Sequence, residues 1–118
     1  MRTFDPALTM HIATVAAGLA KRGRGFRATR QLMPGGTCES TVWGLWGHTA
    51  AALCLPLGNY HNMGRNKRIA AEQIHLGDFH SLVRLLVALA GDPRTPADTE
   101  AALKERFDRL LDQRGKRL

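Results

Sequence analysis

The residue best placed to do chemistry is His61. It lies in the stretch PLGNYHNM, residues 56–63, at the end of the apolar run TAAALCLPL, residues 49–57. That run is bounded by Gly47 and Gly58 and reads as a short buried strand with Pro56 at its end. In α/β sheets, the loops beyond the carboxyl ends of strands hold side chains over a ligand crevice. A neutral imidazole in such a loop can bind a metal ion or carry a proton. A histidine in a turn also serves as an ordinary partner of the backbone, and its position alone leaves both roles open.

A second stretch, PGGTCES (34–40), supplies complementary groups. Gly35 and Gly36 permit positive φ and close backbone approach. Thr37 can cap a following helix, whose free N–H groups suit an anion or a carbonyl oxygen. Glu39 would project near the same place. Cys38 carries a thiol but has no base placed beside it by spacing, and Cys54 reads as a buried strand residue. A plain Gly-rich turn explains the same residues. Of the other histidines, His11 reads as a helix-face residue and His48 as a structural residue before the strand. His75 and His80 are five apart across a helix start, so they lack the i, i+4 register of a metal-binding pair.

The elements that would position these groups follow from caps and periodicity. Asp5 and Pro6 form a helix start, with Leu8, Ile12, Val15 and Leu19 as its stripe and Gly23 and Gly25 as its stop. FRATRQLM (26–33) alternates weakly and suits a short strand. TCESTVWGLWG (37–47) reads as a short helix closed by Gly47, with Trp43 and Trp46 on one face. IAAEQIHL (69–76) suits a strand or a turn. Asp78 reads as the cap of the clearest helix, whose apolar positions are Phe79, Leu82, Val83, Leu85, Leu86 and Leu89. Gly91 and Pro93 stop it. Thr95 and Pro96 start a last helix with the stripe Leu103, Phe107, Leu110 and Leu111. The expected architecture is α/β: a small mixed sheet of two or three strands covered by about four helices. So small a sheet suggests part of a larger one, completed by further residues or by a partner chain.

The chain has 118 residues, 44% of them hydrophobic, which suits a single folded unit. No apolar stretch reaches bilayer length, and the N-terminus lacks the uniform apolar region of a signal peptide. Two cysteines are too few for a disulfide framework, so a cytoplasmic location with reduced thiols is expected. Net charge is +7, concentrated in KRGRGFRATR (21–30), RNKR (65–68) and the terminal RGKRL. That charge can attract anions, but no nucleic-acid motif accompanies it.

The ordered set LMPGGTCEST, AALCLPLGNYHN and IAAEQIHLGDFHSLVRLLVAL resembles the C-terminal part of zinc-dependent aminopeptidases and related metallo-deacylases. The likeness covers roughly residues 5 to 90 and rests on the order GGT, YHN, then Asp78 with its helix. It implies that His61 is a zinc ligand and that Gly35, Gly36, Thr37 and Glu39 line the pocket for a peptide or N-acyl substrate. Tyr60, Glu72 and Asp78 would support the metal site from behind. In the family an acidic residue directly follows the Thr; here Cys38 does, and Glu39 comes one later. Residues 1–92 would then be the C-terminal portion of a catalytic domain, and 93–118 a terminal helix with a basic tail. Zinc, a homo-oligomer or an upstream partner chain, and no membrane are the associations implied. A catalytic zinc takes about three protein ligands, and only His61 is offered. No His-x-Asp or Glu-Glu pair precedes it, so no catalytic residue is assigned and the chain is expected to be inactive alone. The other reading is a stand-alone basic α/β module that binds an anionic ligand or nucleic acid.

Overall fold

The computed structural model describes residues 4–23, 25–31 and 38–115. Among them are four α-helices: α1 (Pro6–Arg22), α2 (Glu39–Leu45), α3 (Leu76–Ala90) and α4 (Pro96–Arg114). Single 3₁₀ turns occur at Tyr60–Asn62 and Arg65–Lys67.

The helix termini follow local chemistry. Asp5 Oδ1 accepts the Leu8 N–H at 2.7 Å, Pro6 occupies the first turn, and Lys21 and Arg22 sit at the negative end of α1. The helix α4 starts with a capping box: Thr95 Oγ1 accepts from Asp98 N–H at 3.2 Å, and Asp98 Oδ2 accepts from Thr95 N–H at 2.7 Å. Two expected caps are displaced. His75, not Asp78, caps α3, its Nδ1 accepting the Gly77 N–H at 3.1 Å, and Asp78 falls inside the first turn. Cys38, not Thr37, is the cap residue of α2.

The expected sheet is absent: among the described residues there is no strand, and the fold is helical rather than α/β. Residues 49–57 run without regular structure, and Cys54, expected to be buried, is exposed. Residues 26–31 are also irregular. Extended backbone satisfies its N–H and C=O groups only through a neighbour. Here the sole antiparallel pairings among the described residues are isolated bridges, Gly58 with Gln73 and Met63 with Ile69. With no ladder, there is no sheet for the helices to cover.

The core is small and centres on α1. Val15 and Ala16 of α1 meet Leu85 of α3 and Phe26, with Ile12, Leu19, Ala88 and Leu89 packed around them. Gly25, at φ +93°, turns the chain after α1 in a conformation that L side chains rarely adopt, next to buried Phe26. His11 is also buried, at 5% exposure, so it is not a simple face residue. Its Nδ1 lies 2.9 Å from Thr99 Oγ1 and ties α1 to α4. Between α3 and α4, Arg94 grips Asp92 in a forked pair, with Nε–Oδ1 at 2.9 Å and Nη2–Oδ2 at 2.6 Å.

Much apolar surface stays uncovered. Trp43, Trp46, Phe79, Val83, Val87 and Phe107 are all exposed. The radius of gyration is 18.2 Å, against about 13 to 14 Å for a compact domain of this length. Such a chain has room to bury further polypeptide.

Leu85→Ala is expected to destabilise the chain by about 2–5 kcal/mol in urea unfolding, and Thr99→Val by about 1–3 kcal/mol through the orphaned His11 nitrogen. The Arg94 side chain, with its guanidinium and its backbone N–H, holds the Asp92 carboxyl well below the ordinary range. The Thr95 backbone N–H and hydroxyl do the same, more weakly, for Asp98. Both carboxyls bind protons more readily when unfolded. Their contribution is therefore present above about pH 4 and is lost as pH falls through the depressed folded values. Urea unfolding from pH 6 to 3 should show stability falling with acid, and Arg94→Ala should flatten that slope.

Candidate functional site

Three of the residues singled out for chemistry, Tyr60, His61 and Glu72, lie on one exposed hairpin, residues 58–73. Its base is the Gly58–Gln73 bridge, in which each N–H donates to the other residue's carbonyl, at 2.8 and 3.1 Å. Nearer the tip, Ala70 N–H donates to Asn62 O at 3.0 Å and Gly64 N–H to Arg68 O at 2.9 Å. The two sides approach so closely at Gly64 that a Cβ there would lie 2.7 Å from Ala70 Cβ. The turns between are left-handed: Asn59, His61, Asn62, Asn66 and Lys67 all have φ between 55° and 58°. Asparagine and, less strongly, histidine are enriched at such φ values, so NYHN and RNK are turn sequences with a mechanism.

His61 stands within this framework. Its backbone N–H donates to Glu72 Oε1 at 2.7 Å across the hairpin. Its ring lies against that of Tyr60, with centroids 4.1 Å apart and planes tilted by 59°. Its imidazole nitrogens make no hydrogen bond among the described residues, and the side chain is exposed. The fold thus brings together Tyr60, His61 and Glu72. It does so by a hairpin and not by the mouth of a sheet, because among the described residues no strand precedes His61.

The remaining expected site residues lie elsewhere. Gly35, Gly36 and Thr37 fall outside the described residues. Glu39 is the first residue of α2, exposed and suited to the positive end of that helix. Asp78 plays the same part in α3. Cys38 is half-buried, and the backbone N–H of Thr41, helped by Ser40, pulls its thiol below the usual value.

Zinc does not fit the described residues by themselves: no group of three His, Cys, Asp or Glu side chains there could hold a metal ion. Glu72 is directed at a backbone N–H, and His61 is a single ligand.

A second feature escaped the spacing-based reading. Asp5 N–H donates to Ala50 O at 2.9 Å and draws the segment after α2 against the start of α1. The resulting cleft, about 330 Å³, is lined by Asp5, Ser40, Thr41, His48 and Thr49 among others. His48 packs edge-on to Trp43, centroids 5.3 Å apart. Nothing in the spacing of these residues marks them, because the cleft forms only when the two segments meet. Asp5 is already engaged as a helix cap, which leaves hydroxyls and one imidazole for a small polar solute.

No family model matches this chain, and comparison with curated proteins and with solved structures finds no match either.

Gly64→Ala should open the hairpin, and Glu72→Ala should release the His61 amide. Both are expected to speed hydrogen exchange at His61 and Ala70 by about tenfold or more, an opening energy of at least ~1.4 kcal/mol, while α1 and α3 amides stay protected. Unchanged exchange at His61 in both variants would show that these contacts do not hold the hairpin.

Proposed function

We propose that this chain is one portion of a zinc-dependent aminopeptidase-like metallohydrolase, acting on peptide or amide bonds only when further polypeptide completes its site. The observation that carries this reading is the hairpin that sets Tyr60, His61 and Glu72 together and leaves the His61 ring nitrogens without a hydrogen-bond partner among the described residues. Those residues are three of the eight that the likeness to the peptidases nominates, and they are adjacent although Glu72 is 11 residues from His61 in sequence. The uncovered apolar faces of α2 and α3 support it as well, since they leave room for polypeptide that would bring the missing ligands. The sheet expected from that likeness forms no part of the proposal.

On this reading the chain's own residues position and do not catalyse. The Glu72 carboxylate pins the left-handed backbone of His61. Tyr60 limits the ring's freedom from one side. A ring held this way loses less rotamer entropy when it takes up a ligand.

A second reading, binding of an anionic ligand or nucleic acid, draws on one observation. Arg65, Lys67 and Arg68 stand together at the hairpin tip, exposed, with no ion-pair partner among the described residues.

The chain alone, with added zinc, should give no turnover of amino-acid anilides. Supplied with a polypeptide carrying His-x-Asp and Glu-Glu elements, it should give chelator-sensitive turnover that His61→Ala abolishes. Turnover by the chain alone, or turnover indifferent to His61→Ala, would sink the hydrolase reading. For the second reading, binding to single-stranded RNA should weaken steeply with salt and drop on Arg65→Glu/Arg68→Glu; no binding at low salt rules it out.

A further inference from the structure

The helix α4 presents an apolar stripe that the described residues leave largely uncovered. Leu103, Phe107 and Leu111 recur every fourth residue and are 36%, 56% and 68% exposed. No residue of α4 is buried, and its link to α1 lies near its start, at Thr99. With 19 residues, α4 is about 28 Å long, and its residues away from the stripe are mostly charged. An exposed stripe on an otherwise charged helix is the pattern of a helix that packs against another helix.

Charge along the helix selects the partner. The first half carries Asp98, Glu100 and Glu105 against Lys104. The second half carries Arg106, Arg109 and Arg114 against Asp108 and Asp112, and the sequence continues with Lys116 and Arg117. The helix midpoint is Glu105, and Phe107 is the midpoint of the stripe. At the centre, Lys104–Asp108 at 3.6 Å and Arg109–Glu105 at 3.7 Å are paired within the helix. Glu100 and Arg114, toward the ends, have no ion-pair partner among the described residues.

We propose that α4 is a self-association helix that pairs antiparallel with α4 of a second copy of this chain, about a two-fold axis near Phe107. That axis sets Leu103 of one copy opposite Leu111 of the other, and Glu100 opposite Arg114. It covers the stripe twice over with a single self-complementary contact, as a two-fold interface requires. A parallel pair would stack acidic ends on acidic ends and basic on basic, so the charge gradient disfavours it. The proposal does not depend on the hydrolase reading, because α4 lies outside residues 5–90 that carry that likeness.

The test uses the full chain. Sedimentation equilibrium should give a dimer with a dissociation constant on the order of 10 µM or tighter. Phe107→Glu should weaken it at least tenfold with an unchanged far-ultraviolet circular dichroism spectrum, because Phe107 is exposed and supports no core. Glu100→Arg should weaken dimerisation and Glu100→Arg/Arg114→Glu should restore it. Orientation is read by crosslinking in a Cys38→Ser/Cys54→Ser background. Phe107→Cys should crosslink to itself, and Leu103→Cys should crosslink to Leu111→Cys in a mixture but not to itself. A chain that stays monomeric at millimolar concentration overturns the proposal and leaves the stripe to a different polypeptide. Self-crosslinking of Leu103→Cys, or a dimer indifferent to Phe107→Glu, overturns it too.

Discussion

The packing of α1 against its neighbours is the constraint on which the rest depends. Val15 and Ala16 present a small surface to Leu85 and Phe26, and these four make up the buried apolar cluster among the described residues. Burying each large apolar side chain contributes about 1.5–3 kcal/mol. A single truncation in so small a core therefore removes a large share of what holds the helices in place. The buried His11 imidazole adds a directional contact. Its hydrogen bond to Thr99 fixes α4 on α1, where apolar contact alone would permit sliding.

The hairpin draws on different physics. It has almost no apolar interior, and its order comes from backbone pairing at Gly58–Gln73, from Gly64 seated against Ala70, and from the Glu72 carboxylate on the His61 N–H. Left-handed residues cost some backbone strain, and the asparagines reduce that cost. The outcome is a histidine whose main chain is fixed and whose ring is open.

The two regions differ in how readily they were read in advance. Asp5–Pro6 and Thr95–Pro96 named the starts of α1 and α4 correctly, because a cap and its helix are in contact along the chain. The cap of α3 lies three residues before the expected Asp78, because the ring nitrogen of His75 accepts the Gly77 N–H. Residues 49–57 were read as a strand on the strength of their apolar run. The same run is compatible with an unpaired segment, and periodicity carries no information about a partner. The nomination of Tyr60, His61 and Glu72 as neighbours came from a likeness in motif order, while Asp78 and Glu39 turn out to serve helix termini.

By itself, the sequence determined the helices, their polarity and the basic stretch RNKR. These depend on groups within about four residues of one another, so the chemistry is local. Only the tertiary structure decided that His11 is buried, that Glu72 reaches His61 and that Asp5 closes a cleft with Ala50. It also decided that no sheet forms among the described residues. A helix closes its hydrogen bonds on its own backbone, whereas a strand or a cross-chain contact exists only if a distant segment arrives to complete it.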